Sequence, residues 1–245
     1  MRGITRIHRY TEMLKQFVSQ EDPLTYLPRK PIREFTKGST IYDREHPNQY
    51  LYVTILGRVK LSTTSDDGCQ TVGRIVCAEG VFGESCLVAQ GVCAETAVAL
   101  DNATLMAWSR ADIEAQIERE PALGIALMQH FARECIELQD RIESMAVHKT
   151  PERVMLALLQ LAGDLGSPMA DGAVRVGSLT HHTIAEYVGT SREIVTFQMN
   201  RLRRMGVLRY SRKFIDIYVP AMHESLRERG IGTRSRVGET LSAGG

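Results

Sequence analysis

Residues 179–202 read Leu179-Thr180-His181-His182-Thr183-Ile184-Ala185-Glu186-Tyr187-Val188-Gly189-Thr190-Ser191-Arg192-Glu193-Ile194-Val195-Thr196-Phe197-Gln198-Met199-Asn200-Arg201-Leu202. Apolar residues at helical spacing lie on both sides of a single glycine. This predicts two short helices joined at Gly189, where a residue without Cβ can take the left-handed conformation that ends a helix. Thr190-Ser191-Arg192-Glu193 has the pattern of a capping box, with Thr190 capping an amide two or three residues on and Glu193 reaching back. Ile184, Ala185 and Val188 are then expected to face Ile194, Val195 and Leu202. The pair reads as a helix-turn-helix.

The charge that follows gives the motif a chemical direction. Residues 192–213 hold seven basic side chains (Arg192, Arg201, Arg203, Arg204, Arg209, Arg212 and Lys213) against one acid, Glu193, in a chain of net charge +1. Such local asymmetry suits a polyanionic partner, because neutralising phosphates releases condensed counterions.

The remaining composition is that of an ordinary globular protein, with 43% apolar and 24% charged residues in 245. Two domains are the expectation. No run of 18 apolar residues and no signal-peptide core are visible, so a cytoplasmic location without membrane association is expected. The five cysteines show no Cys-x-x-Cys spacing. Neither a disulfide scaffold nor a zinc site is therefore expected, and no catalytic pair is visible.

Working outward, Val207-Leu208-Arg209-Tyr210 and Phe214-Ile215-Asp216-Ile217-Tyr218-Val219 alternate around Ser211-Arg212-Lys213, which predicts a hairpin wing with a basic tip. A helix is expected over residues 153–162, ended at Gly163. Upstream, Met128, Phe131, Cys135, Leu138, Ile142 and Met145 recur at spacings of 3, 4, 3, 4 and 3 after Pro121. That is a coiled-coil seam, either packed on a neighbouring domain or paired with a second copy. Pairing would set two reading helices for successive major-groove half-sites. Residues 110–120 also read as helical. Residues 24–109 break into short β-branched runs with turn signals at Gly38, Gly57, Gly68 and Gly80, the pattern of an antiparallel sandwich or barrel. Leu14, Phe17 and Val18 suggest a short amphipathic helix, and residues 230–245 a disordered tail.

This order, β-roll, seam helix, winged helix-turn-helix, resembles the cyclic-AMP receptor protein/fumarate-nitrate regulator (CRP/FNR) superfamily of bacterial transcription factors. The resemblance rests on Gly189-Thr190-Ser191-Arg192-Glu193-x-Val195, Gly80-Val81-Phe82-Gly83-Glu84-Ser85, and Tyr50-Leu51-Tyr52-Val53 with Gly57-Arg58-Val59-Lys60-Leu61. It implies an α+β fold: an antiparallel jelly-roll like that of cyclic-nucleotide-binding domains, a long dimerisation helix and a C-terminal winged helix-turn-helix. The corresponding divisions are a 1–22 extension, a 23–120 roll, a 121–148 helix, a 149–220 DNA-binding domain and a 221–245 tail.

The resemblance also assigns roles. Arg192 can meet guanine O6 and N7, and Glu193 can accept from cytosine N4 or cap its helix. Where the family commonly has a second arginine stands Phe197, which can touch a thymine methyl, with Gln198 and Asn200 as secondary base-reading candidates. Ser191, Arg201, Arg204, Arg209, Arg212 and Lys213 are expected at phosphates; Thr180 either caps its helix or joins them. The ligand side departs from the family. Gly83, Glu84 and Ser85 match, but Cys93-Ala94 stands where nucleotide binders place an Arg-Ser or Arg-Thr pair, and Leu138 and Gln139 stand where they place hydroxyls. Residues 75–109 contain no Lys or Arg, while Glu79, Glu84, Glu95 and Asp101 are present. A buried phosphate would lack its charge-assisted fork. The expectation is a homodimeric regulator that binds two-fold symmetric DNA and contacts RNA polymerase, with no cofactor and no cyclic-AMP dependence. The competing reading is a ligand- or redox-sensing roll whose helical domain mainly binds protein.

Overall fold

The structure, a computed structural model, describes residues 21–88 and 95–231. The amphipathic segment of Leu14, Phe17 and Val18, the pair Cys93 and Ala94, and all but the first two residues of the 230–245 tail lie outside the described residues.

The chain begins with a turn of helix, α1 (Pro23–Tyr26), capped by the Asp22 carboxylate. Eight strands follow: β1 (Ile32–Phe35), β2 (Thr40–Tyr42), β3 (Tyr50–Leu56), β4 (Val59–Thr64), β5 (Gln70–Val76), β6 (Val81–Phe82), β7 (Glu95–Ala99) and β8 (Ala103–Ser109). They make two four-stranded antiparallel sheets, ordered β1-β8-β3-β6 and β2-β7-β4-β5. The period of two in β3 is used on both faces. Tyr52 enters the core between the sheets, with Tyr42, Leu61, Phe82 and Leu105. Leu51 and Val53 point the other way, into a second cluster with Trp108, Ile113, Leu123 and Leu127.

Those last three residues belong to the helices that cover the roll, α2 (Arg110–Arg119) and α3 (Ala122–Val147). α2 opens on a reciprocal capping box between Ser109 and Asp112. α3 starts at Pro121, where a missing N–H costs nothing. Its roll-facing side is Leu123, Ala126 and Leu127, not the seam. Met128, Leu138, Ile142 and Met145 remain 64, 50, 67 and 41% exposed, and Cys135 is exposed as well. Only Phe131 of the stripe leans on the second cluster. The reading in which the stripe lies on the roll is thus not realised.

Next come α4 (Thr150–Leu165), β9 (Ser167–Pro168), β10 (Val174–Gly177), α5 (His181–Val188), α6 (Arg192–Arg204), β11 (Leu208–Tyr210), β12 (Phe214–Ile217) and α7 (Val219–Arg227). α4 corrects the expected stop at Gly163. A Cβ added there would meet nothing within 4 Å, and the helix continues because Leu158, Leu161 and Ala162 are buried and Leu165 packs on the same core. The wing is one edge of a sheet ordered β11-β12-β10-β9, whose last two strands went unread. The cluster joining α4, α5, α6, α7 and this sheet also includes Val72 and Ile75 of β5, so the helix-turn-helix is seated on the roll.

Candidate nucleic-acid interface

The turn between α5 and α6 is built from backbone requirements. Thr180 is the N-cap of α5, accepting from the Thr183 amide at 3.0 Å. At the other end Gly189 has φ 71° and ψ 52°, and the amides of Gly189 and Thr190 both donate to the Ala185 carbonyl. Arg153 of α4 donates to the Val188 and Gly189 carbonyls at 2.6 and 2.8 Å, satisfying these two carbonyls at the helix end. Thr190 therefore serves the end of α5, and the N-cap of α6 is Ser191, which accepts from the Ile194 amide at 3.4 Å. This corrects the capping box. With Ser191 as cap, Glu193 is the second helical residue, one short of the position from which a carboxylate reaches back. Its carboxyl is held below the ordinary range by its own backbone N–H first and the Ser191 hydroxyl second.

α6 is amphipathic in a simple way. Val195, Met199 and Leu202 are buried, while Arg192, Glu193, Phe197, Arg201 and Arg204 lie on the exposed side, Phe197 at 64%. Two expectations fail here. Ile194, placed against α5 by the sequence pattern, is 41% exposed. Gln198 is only 7% exposed, on the side of Val195 and Met199, so it is not presented to a base edge. Behind Arg192, its backbone carbonyl accepts from the Thr196 hydroxyl at 2.8 Å, and Thr196 meets His181 Nδ1 at 2.9 Å. Burial, then the nearby Arg192 charge, lowers the pKa of His181.

The wing divides the predicted phosphate contacts. Arg212 and Lys213 are exposed at its tip, as are Arg201 and Arg204 on α6. Arg209 differs: its Nε is 2.7 Å from Asp216 and its Nη2 2.7 Å from Asp171. Arg175 of β10 grips the other side of Asp216 with bonds of 2.6 and 2.9 Å. The Asp216 side chain is fully buried, and its carboxyl stays below the ordinary range because of the Arg175 hydrogen bonds, with Arg209 adding to them. Arg209 is thus part of the sheet's internal charge balance rather than a free phosphate clamp. A sequence signal existed, since folding the hairpin about its tip sets Arg209 opposite Asp216, as the register confirms.

Inside the roll, Gly83 has φ 86°, and a Cβ there would fall 2.6 Å from the Tyr50 carbonyl oxygen. Asn48 Nδ2 ties this turn down, donating to Gly83 O at 2.6 Å and Ser85 Oγ at 3.1 Å. Glu84 faces an arginine that the sequence reading passed over. Arg74 of β5 lies 3.5 Å from Glu84, pairs with Glu134 of α3 and donates to the Val81 carbonyl. Burial opposes its charge, but Glu84 and Glu134 outweigh burial and leave its pKa above the ordinary value. Across the roll, burial raises the pKa of Glu95, whose carboxylate accepts from Tyr42 at 2.6 Å. Leu138 and Gln139 are exposed on α3. Burial pushes the Cys86 thiol up to about 11, away from thiolate chemistry. Among the described residues, no three His, Cys, Asp or Glu side chains are grouped to hold a metal, and no helix is long and apolar enough to cross a membrane.

A β-roll, an uncovered seam helix and a winged helix-turn-helix with an arginine-rich face define a DNA-binding transcription regulator. Comparisons with known proteins bear on the same elements. Residues 32–120 match the cyclic nucleotide-binding domain model and residues 152–223 the Crp-like helix-turn-helix domain model. The cyclic AMP receptor protein of Thermus thermophilus is 28% identical over 203 residues, 83% of this chain and 89% of that protein. The global nitrogen regulator of a Synechocystis species is 27% identical over 219 residues, 84% of this chain and 96% of that one. Among solved structures, FixK2 from Bradyrhizobium japonicum has the same fold at a TM-score of 0.69 and 19% identity, covering 80% of this chain and 97% of that chain. The chain belongs to the CRP/FNR superfamily of transcription regulators.

Proposed function

We propose that this regulator acts as a homodimer on two-fold symmetric DNA without cyclic AMP, in the cytoplasm and through contact with RNA polymerase. The observation that carries the dimer is the seam. Four large apolar side chains of α3, Met128, Leu138, Ile142 and Met145, are each more than 40% exposed in a single chain, in line with exposed Cys135. A stripe with this spacing is covered best by its own copy, related by a two-fold axis. Each copy then offers one α6. Arg192, Glu193 and Phe197 read bases, while Ser191, Arg201, Arg204, Arg212 and Lys213 stand beside phosphates.

The charge inside the roll supports the reading without cyclic AMP. Among the described residues, the guanidinium that pairs with Glu84 is that of Arg74, already neutralised by Glu84 and Glu134, and Glu95 adds a further carboxylate. A buried cyclic phosphate would meet more negative charge than positive. No cofactor is assigned. The test uses purified full-length protein and the operator that it selects from random duplexes. Sedimentation should give a dimer, and operator affinity should be equal with and without cyclic AMP. Nucleotide-dependent affinity would overturn the ligand assignment, and weak, sequence-independent binding would favour a helical domain that mainly binds protein.

A further inference from the structure

A side-chain hydrogen bond links the wing to the reading helix, and that bond gives Asn200 a direction. Asn200 stands seven residues, about two turns, after Glu193 and four before Arg204, half-buried on the same stripe of α6. Its Oδ1 accepts from the Tyr210 hydroxyl of β11 at 3.1 Å. Tyr210 is held on two further sides: the Arg203 guanidinium lies 5.3 Å from its ring centre, and the His181 ring meets it edge-on at 5.2 Å. A phenol donates more readily than it accepts, and a cation near the ring strengthens that bias. The phenol therefore takes the carbonyl half of the Asn200 amide and turns the NH₂ half outward. Among the described residues that nitrogen has no hydrogen-bond partner.

We infer that Asn200 is a DNA contact of fixed polarity, a hydrogen-bond donor set by Tyr210 of the wing, whose partner must be an acceptor on the duplex. This rests on the reading of α6 as the base-contacting helix. The acceptors within its chemistry are guanine O6 or N7, adenine N7 and thymine O4 on base edges, or a phosphate oxygen. A donor group such as cytosine N4 opposite it is disfavoured, because flipping the amide to accept would force the Tyr210 hydroxyl into its weaker role as acceptor. Of the two secondary candidates on α6, Gln198 is buried and Asn200 keeps the DNA-facing role, with Tyr210 as its positioning residue.

The experiment compares full-length wild type with Asn200→Ala, Asn200→Asp, Asn200→Ser and Tyr210→Phe, each checked for an unchanged melting curve. Duplexes are selected from a random pool, and anisotropy titrations follow on the wild-type operator and its single-base variants. Asn200→Ala should weaken operator binding about tenfold, and Asn200→Asp, which puts an acceptor where a donor stood, about a hundredfold. Asn200→Ser covers the case of an unstable Asp variant. A base-edge partner appears as relaxed selection at one position per half-site, and a phosphate partner as an equal loss on every duplex; either supports the assignment. Tyr210→Phe keeps the ring and should reproduce part of the Asn200→Ala loss. Asn200 variants within about twofold of wild type would overturn the proposal, and wild-type affinity in Tyr210→Phe beside a weakened Asn200→Ala would remove the wing's part. Failure of the wild type itself to enrich any sequence would overturn the reading of α6, a result visible before any variant is compared.

Discussion

At the scale of single residues, the arginines of the DNA-binding domain are alike in the sequence and unlike in the fold. Arg192 is exposed at the first position of α6, while Arg209 is spent on Asp216 and Asp171. Replacing Arg192 with Ala should cost about tenfold to a hundredfold in affinity for the selected operator, with a smaller change on random DNA, as titrations on both will show. Arg209→Ala should leave the salt dependence of binding unchanged and instead lower the melting temperature, because it strips a buried carboxylate of one partner. Asp216 adds a pH dependence whose sign is fixed. Its carboxyl titrates below the ordinary range in the folded chain, so ionised Asp216 contributes stability at neutral pH, and that contribution fades as pH falls through the folded value. In Asp216→Asn the melting temperature should already be lower at pH 7, by on the order of 5 °C, and should fall less steeply in acid. Basic composition made the DNA face legible in advance. It could not say which arginines a buried aspartate would claim, because that depends on cross-strand register and on β10, which the sequence reading left out.

At the scale of elements, periodicity was a sound guide wherever packing has one simple face. The stripe of α3 was legible because spacings of 3 and 4 set its residues on one face, which the structure leaves largely exposed. If the proposed dimer forms along this stripe, Ile142→Glu, which sets like charges at its centre in both copies, should convert it to monomer in sedimentation and abolish tight operator binding, with the helical circular dichroism retained. Where packing is irregular the sequence said less. β1 is exposed along most of its length and shows no alternation; it is a strand because residues Ile32 to Phe35 pair with Met106 to Ala103 of β8. β6 is two residues long, which is too short for any period. The end of α4 was misplaced for the opposite reason, since an interior glycine costs about 1 kcal/mol in a helix and the buried Leu158, Leu161 and Ala162 outweigh it. The helix-turn-helix was identified from Gly189, yet its cap shifted from Thr190 to Ser191 because the Schellman-type turn after α5 claims the Thr190 amide.

At the scale of the whole molecule, three polar side chains, Arg58, Lys60 and Arg141, help hold the reading head against the roll beside the apolar contact of Val72 and Ile75. Arg58 of the β3–β4 turn bonds Asp101 at 2.6 and 3.1 Å and reaches the Ser178 carbonyl just before α5. Lys60 of β4 meets Glu186 of α5 at 3.3 Å, with side chains 14 and 6% exposed. Arg141, one residue before Ile142 of the seam, donates to the Val72 and Gly73 carbonyls of β5 and to the Tyr187 carbonyl of α5, and its guanidinium lies 4.3 Å from the Tyr187 ring centre. That single side chain therefore touches the seam helix, the roll and the helix-turn-helix together. A change of shape in the roll that displaces β5 has a direct route to the angle of α5, and through the α5–α6 turn to the spacing of two reading heads across a dimer. Arg141→Met keeps much of the apolar stem and removes every one of those hydrogen bonds. In that variant, amide exchange should accelerate in β5 and at the C-terminal end of α5 together, with the core of α4, α6 and the wing unchanged, and operators with altered half-site spacing should bind closer to the selected one than they do with wild type. Exchange that rises in β5 alone would mean that α5 is held by Lys60 and Arg58 without Arg141, and the coupling through the seam helix would fall.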